Sequence, residues 1–226
     1  MKLSNKTIEI IKNFSTINQG ILFKTGKVLK TVSPQKNVLA LANIEDEITN
    51  EFAIYDLNHF LSVVASSDTS EFEFDEDHVI VTAMQGRSEI NFRFSTANMI
   101  VTPPEKDIQF PEPEIKINLA KGDLEWIFRT ASILATPHIG IFSDGTNIFV
   151  STYDATGAKS HSSKLKLGQS TDDIYNIHFK IESLKLIPGN YEINISSKGV
   201  SHWKNKDVDV QYWITTEPGS KFQKAQ

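Results

Sequence analysis

The sequence predicts an α+β fold made of one unit used twice. Three observations carry that expectation. Two segments, Ser4–Ile17 and Lys121–Leu134, space their apolar residues as amphipathic helices do. Much of the remainder consists of short runs with a period of two, such as Glu71-Phe72-Glu73-Phe74 and Ile90-Asn91-Phe92-Arg93-Phe94, the pattern of a half-buried sheet. The order helix, hairpin, strands, short helix, sheet then occurs on both sides of a proline-rich stretch at the middle of the chain, Pro103–Pro113.

In the first half, Ser4 is the expected N-cap, its hydroxyl accepting from an N–H of the first helical turn. At 100° per residue, Leu3, Ile10, Ile11, Phe14 and Ile17 share one side of the helix, and Lys6, Glu9, Lys12 and Asn13 the other. Strands are expected at Gly20–Phe23 and Lys27–Val32, joined as a hairpin through Lys24-Thr25-Gly26, and at Val38–Asn43, followed by a solvated loop, Glu45-Asp46-Glu47. Glu51–Tyr55 reads as a short strand, and Asp56 as the cap of a helix over Leu57–Ala65. Glu71–Phe74, His78–Ala83 and Ser88–Phe94 close this half as three strands, with turns at Asp75-Glu76-Asp77 and Gln85-Gly86-Arg87.

Between the halves, Pro103, Pro104, Pro111 and Pro113 supply four of the eight prolines. Proline fixes φ and lacks an amide hydrogen, so this stretch cannot run inside a helix or a central strand. It reads as an extended connector between domains over residues 1–102 and 114–226.

The second half repeats the order. Ile115–Leu119 is a strand, and Lys121–Leu134 a helix with Leu124, Ile127, Phe128, Ala131 and Leu134 inward and Lys121, Glu125, Arg129 and Ser132 outward. Ile139–Phe142 and Asn147–Tyr153 form a hairpin across Asp144-Gly145-Thr146. Strands follow at Lys164–Leu167 and Asn176–Ile181, then a short helix near Leu184–Leu186 stopped by Pro188-Gly189. Tyr191–Ser196 and Val208–Thr215 complete the sheet, with a weaker strand around Gly199–Trp203 and a frayed tail beyond Glu217. Ile8 aligns with Leu124, Gly26 with Gly145 and Phe52 with Phe179, the offset growing only by loop-sized insertions.

Composition narrows the function classes. Hydrophobic residues make up 39% and charged residues 23% of 226, ordinary for a soluble globular protein, and 14 Phe with 3 Trp supply a core. The net charge of −5 argues against a uniformly cationic nucleic-acid binder but leaves room for a basic stripe on an acidic body. The absence of cysteine excludes disulfides, thiolate metal sites and a cysteine nucleophile, and suits a reducing cytoplasm. The first residues lack the pattern of a secretory signal, and no run approaches the ~18 apolar residues of a membrane helix.

No glycine-rich phosphate loop and no Gly-x-Ser-x-Gly elbow occurs. His59, His78, His138, His161, His178 and His202 are never spaced as metal ligands on one helix. The acidic clusters Glu45-Asp46-Glu47, Asp75-Glu76-Asp77 and Asp172-Asp173 all fall in expected turns or loops. The sequence therefore predicts no enzyme, no metal and no cofactor. Three features remain. Basic residues sit on the polar side of both long helices, where a row of them would meet nucleic-acid phosphates. Ile108 and Phe110 interrupt the polar connector and could line an apolar pocket for a partner's peptide, or tuck onto the core. Ser88–Phe94 ends one half as an alternating strand that invites pairing with another chain.

These residues resemble the sliding clamps, the DNA polymerase processivity factors, of T-even-type tailed bacteriophages. The opening MKLSNKTIEIIKNFSTINQGILFKTGK is the most specific match; FAIYDLNHFL at Phe52–Leu61, the connector, and LIPGNYEINISSKG at Leu186–Gly199 support it. The resemblance runs over nearly the whole chain and departs from the family in loops, in Thr152–Ser163 and after Glu217. It implies two processivity-fold domains per chain and a homotrimer closed head to tail, with helices lining the hole and sheets outside. It also implies double-stranded DNA bound without regard to sequence, an ATP-dependent clamp loader, a DNA polymerase held through its C-terminal peptide, and late-transcription sigma-like and coactivator proteins. The setting implied is the cytoplasm of the bacterial host.

Matched by position, the resemblance places Lys2, Lys6, Lys12, Lys121, Arg129 and Lys185 toward DNA. It places Leu41, Ile108, Phe110, Pro111, Tyr212 and Ile214 around the partner-peptide pocket. At the subunit joint it pairs Ser88, Ile90, Phe92 and Phe94 of one chain with Ser163, Leu165 and Leu167 of the next. The competing reading is a non-catalytic β-rich virion or receptor-binding module, which would have no use for basic helix faces.

Overall fold

The computed structural model describes residues 3–65, 71–84, 86–106, 108–155 and 161–225. The chain divides into two compact units, Met1–Asp107 and Ile108–Gln226, and the division falls inside the proline-rich stretch.

Unit 1 begins with α1 (Asn5–Ile17). The Ser4 hydroxyl accepts from the Thr7 N–H at 3.3 Å, capping the first turn as its side chain allows. Thr7, Ile10, Ile11, Phe14 and Ile17 form the buried stripe. The helix stops at Asn18, whose buried amide donates to the carbonyls of Val32 (2.9 Å) and Val101 (3.0 Å) and accepts from the Gly20 N–H (3.1 Å). One side chain thus fastens the helix end to the sheet and to the foot of the connector.

β1 (Ile21–Phe23) pairs antiparallel with β4 (Phe52–Ile54), and β2 (Gly26–Val32) with β3 (Val38–Ile48). α2 (Leu57–Val64) is capped by Asp56, which accepts from the His59 N–H at 2.9 Å. β5 (Glu71–Phe74), β6 (His78–Ala83) and β7 (Ser88–Arg93) form an antiparallel meander. The core is aromatic: Phe23 stacks on Phe52 with ring centroids 4.5 Å apart, and Phe60, Phe72, Phe74, Phe92 and Phe94 extend the cluster.

Unit 2 contains β8 (Ile115–Leu119) and α3 (Lys121–Leu134). Its five-stranded sheet, from edge to edge, is β11 (Ser163–Ser170), β10 (Asn147–Tyr153), β9 (His138–Asp144), β12 (Ile174–Lys180) and β16 (Lys221–Gln223). A second antiparallel run joins β8 to β13 (Tyr191–Ser196), then β14 (Val200–Asn205) and β15 (Val210–Thr215). Trp203 is 1% exposed. Its indole N–H donates to the Ser201 hydroxyl, which donates to the Ile214 carbonyl, each at 2.8 Å.

The two units repeat one plan. Each long helix packs over the second and third strands that follow it, α1 over β2 and β3, α3 over β10 and β11. A glycine with positive φ stands where the second strand begins in both: Gly26 at 110° opens β2, and Gly145 at 85° lies in the turn before β10. The first strand pairs with the fourth in both, β1 with β4 and β9 with β12. Phe52 and Phe179 sit on those fourth strands, and a three-stranded antiparallel meander follows in each unit, β5–β7 and β13–β15. This is one α+β unit used twice.

Five expectations change. Lys24-Thr25-Gly26 does not close a hairpin, because β1 is held on β4 by the Phe23–Phe52 stack, and at Gly20 an added Cβ would lie 2.9 Å from the Ile54 carbonyl oxygen. Glu45-Asp46-Glu47 is part of β3 rather than a loop: Val38, Ala40, Ala42, Ile44 and Ile48 face inward, so the acids ride on a continuing strand. The short helix near Leu184–Leu186 is replaced by a single 3-10 turn, Ile181–Ser183, because the link to β13 is short and Pro188 ends it. Gly199–Trp203 is no weak strand but the core of β14. The tail after Glu217 folds back as β16 on β12, with the Ser220 hydroxyl accepting from the His178 N–H at 3.0 Å.

Trp203→Ala is expected to destabilise unit 2 by about 3–5 kcal/mol, the range for emptying a large aromatic site, read as a lower urea midpoint by far-UV circular dichroism. Asp46 gives a pH-dependent test. Partial burial alone would raise its carboxyl, but hydrogen bonds from Thr7 and from the Ser4 backbone outweigh that and hold it below its usual value. A depressed carboxyl stabilises the fold above its unfolded value and loses that contribution as pH falls through the folded one. Asp46→Ala is therefore expected to lower the midpoint at pH 7, and the gap from the parent protein should close in acid below about pH 4.

Candidate functional site

Burying the apolar stripes of α1 and α3 turns the opposite sides of both helices to solvent. Lys6 and Lys12 are exposed on α1, Lys121 and Arg129 on α3. They are not equivalent. The Lys6 ammonium lies 2.7 Å from Glu45 Oε1, and its hydrogen bond with that carboxylate, reinforced by the opposite charge, raises the lysine's pKa. Lys121 is 3.8 Å from Glu125 one turn along. Lys12 and Arg129 have no ion pair among the described residues, so they present the least compensated charge on the two helices. Lys185 sits in the irregular link after the 3-10 turn, half-buried and not on a helix, which removes the helical placement expected for it. Lys2 lies outside the described residues.

The connector makes a separate surface in each unit. In unit 1, Lys24 Nζ reaches Glu105 Oε1 at 3.0 Å. The stem Thr102–Glu105 borders a cleft of about 360 Å³ whose walls include Leu22, Val28, Lys30, Pro103 and Pro104. In unit 2, the half-buried Phe110 ring packs 5.6 Å from His202, which stacks on Trp213 at 4.8 Å and 17°. His202 Nε2 pairs with Gln211 Oε1 at 2.9 Å. Burial is the main cause that holds this imidazole below its usual value, and it outweighs the opposing effect of Gln211. The Trp213 indole N–H is buried with no hydrogen-bond partner among the described residues.

Alternation along β15 corrects two pocket assignments. Tyr212 and Ile214 are each 0% exposed and point into the core, while Gln211 and Trp213 face the other way. Two core residues cannot wall an open pocket. Trp213, His202 and Gln211 are the residues that accompany Phe110. The strand Val210-Gln211-Tyr212-Trp213-Ile214 already carried that information in its period of two. Ile108 and Pro111 are half-buried in unit 2, and Leu41 is half-buried on β3 of unit 1.

Both strands expected at a subunit joint are sheet edges, β7 beside β6 and β11 beside β10. On β7, Ser88, Ile90 and Phe92 are half-covered and alternate with exposed Glu89, Asn91 and Arg93. Phe94 follows the strand and stacks on Phe52 at 5.4 Å, so it belongs to the core cluster more than to the edge. On β11, Ser163, Leu165 and Leu167 alternate with exposed Lys164 and Lys166. The Lys164 ammonium stands 3.7 Å from the Phe149 ring centroid and 4.8 Å from that of Phe142. This cation–π seat fixes its position on the edge. Among the described residues no cluster of three His, Asp or Glu is placed to hold a metal ion.

Residues 2–102 match the family described as DNA polymerase processivity factor. The chain is 31% identical over 223 residues to a sliding clamp of Vibrio phage KVP40, covering 96% of this chain and 99% of that one. It is 33% identical over 227 residues to a sliding clamp of Escherichia phage RB69, with 97% and 98% covered. Proliferating cellular nuclear antigen from Entamoeba histolytica shares the fold at 12% identity, with a TM-score of 0.67 over 93% of this chain and 94% of that chain. The chain belongs to the sliding-clamp family, the non-catalytic processivity factors of DNA polymerases.

Proposed function

We propose that three copies of this chain join head to tail into a closed ring around duplex DNA. In this reading β7 of one copy lies along β11 of the next, continuing both sheets. The observation that carries the reading is the pair of open edges, one in each unit, with matching alternation of half-covered and exposed residues. A head-to-tail contact uses two different surfaces, so it closes into a ring when the rotation per copy permits. Glu89 on β7 and the lysines of β11 supply opposite charge at such a joint.

Lys12 and Arg129 face the duplex, with Lys6 and Lys121 beside their carboxylates giving a weaker field. Each neutralised phosphate contributes roughly 0.9 to the salt slope, and a handful of contacts gives binding on the order of 10⁻⁴–10⁻⁶ M without sequence preference. Weak contact suits a ring that must slide. An acidic exterior keeps other surfaces off the DNA.

Phe110, with Ile108, Pro111 and the His202–Trp213 shelf, receives an apolar anchor from the C-terminal peptide of the DNA polymerase. The unpartnered Trp213 N–H supports this reading, since a peptide carbonyl would satisfy it. An ATP-dependent clamp loader opens the ring at primer–template junctions inside the host cell. The same surface serves late-transcription sigma-like and coactivator proteins, making the clamp a late-transcription coactivator. A β-rich virion or receptor-binding module is not favoured, because it leaves the basic helix faces without a use.

The deciding experiment is native mass spectrometry together with retention on circular against linear DNA: a trimer that stays on circles and runs off cut ends is expected, and a monomer that leaves both equally overturns the ring. Lys12→Glu combined with Arg129→Glu is expected to slow clamp-dependent primer extension at low salt and lower the salt slope by roughly 0.9 per lost phosphate contact, with the trimer mass unchanged. Phe110→Ala is expected to weaken binding of the polymerase C-terminal peptide by about 2 kcal/mol, the scale of an aromatic anchor, in titration calorimetry, with DNA retention preserved.

A further inference from the structure

The five-stranded sheet of unit 2 ends in β16, whose outer backbone edge is unpaired among the described residues. Beneath it lies a cleft of about 740 Å³. Tyr175 stands directly opposite Phe222 on β16 and opposite Ser143 on β9, so these three side chains share the inner face of the sheet. Ile177 continues that wall, and Ser196 and Thr216, at the ends of β13 and β15, stand across the cleft. Tyr175 is 4% exposed, yet its hydroxyl has no hydrogen-bond partner among the described residues. A buried orphan hydroxyl is costly and marks a missing acceptor.

The β16 segment itself, residues 221–226, carries two lysines and no acid. Lys221 and Lys224 are exposed and make no ion pair among the described residues. Of the nearby carboxylates, Glu217 pairs with Lys180 at 3.5 Å, whereas Asp173 accepts from the Ala225 N–H at 2.8 Å and keeps its charge, as does exposed Asp172. A short strand bearing lysines repels indiscriminate pairing, which is one way that sheet edges are protected. The same lysines select a strand of opposite charge.

We propose that β16 and the cleft beneath it form a docking site for an extended acidic segment of another protein. The segment adds as an outer strand, so its backbone takes up the free edge. Its residue opposite Phe222 points inward. A glutamine there fits best, because its amide oxygen can accept from Tyr175 while its stem lies along Phe222 and Ile177. The residues on either side point to the opposite face, where one glutamate meets Lys221 and the other lies opposite Gln223. This surface lies apart from the Phe110–His202–Trp213 shelf and does not depend on ring closure.

The probe is a fluorescein-labelled peptide, Val-Glu-Gln-Glu-Val with blocked ends, titrated with the whole protein and followed by fluorescence anisotropy. Saturable binding is expected. Tyr175→Phe, which removes only an oxygen without a partner, should weaken this peptide at least fivefold. It should leave unchanged the binding of a second peptide with methionine in place of glutamine. Lys221→Glu combined with Lys224→Glu should weaken both peptides at least tenfold. No saturation up to millimolar protein overturns the site. So does equal affinity of the parent and Tyr175→Phe for the glutamine peptide, or equal affinity of the parent and the charge-reversed protein.

Discussion

The unpaired backbone of the edge strands is the constraint on which the rest of this molecule depends. A sheet edge presents N–H and C=O groups that water, a covering element or another chain must satisfy. β7 and β11 are such edges, and both alternate half-covered with exposed residues, Glu89 and Arg93 on β7 and Lys164 and Lys166 on β11 carrying charge. That pattern is wrong for a core strand and suits a strand completed by a second copy. Aromatic packing behind β7 and the cation–π seat of Lys164 on β11 hold the two edges in place before any partner arrives. The proposed ring would use edges already present in one chain.

In the proposed ring, enclosure changes what a DNA-facing surface has to do. A protein that holds DNA by contacts alone needs many unshielded cations. A closed ring needs only enough attraction to keep the duplex from sticking to the wall or fleeing the hole. Exposed charges already interact weakly in water and salt. The Lys6–Glu45 pair and the Lys121–Glu125 pair moderate the field further, leaving Lys12 and Arg129 as the open cations on the two helices. The overall negative charge and the basic helix faces are thus parts of one design.

Much of this was legible in the sequence, for reasons that are local. Ser4 and Asp56 announced their helices because capping depends on residues three apart. Gly145 announced its turn because positive φ favours glycine. The stripes of α1 and α3 fixed which lysines face outward. Non-local choices were not legible. Nothing near Lys24-Thr25-Gly26 says that β1 will leave β2 for β4, since the Phe23–Phe52 stack joins residues far apart in the chain. Pro218 and Gly219 read as fraying, yet they turn the tail back onto β12. The error over Tyr212 and Ile214 was of another kind. The period of two was available, but matching by position carried residues across without asking which face of the strand they occupy.

β15 shows why that face matters. Inward, the Tyr212 hydroxyl accepts from the Ile187 N–H at 3.2 Å, and the Tyr191 hydroxyl donates to the Ile187 carbonyl. Burial pushes both phenols well above their usual range, so they stay protonated and can keep these roles. In unit 1 the corresponding link is α2, which satisfies its own backbone. In unit 2 the helix has shrunk to one 3-10 turn, and two tyrosines from the sheet satisfy the irregular chain that replaced it. The same strand, on its other face, holds Trp213 against His202 and so supports Phe110. Tyr212 therefore contributes to the connector surface only at one remove, by keeping β15 rigid beneath the aromatic shelf. A partner that docks on that shelf meets a strand already locked from behind, and loses little conformational freedom in ordering it.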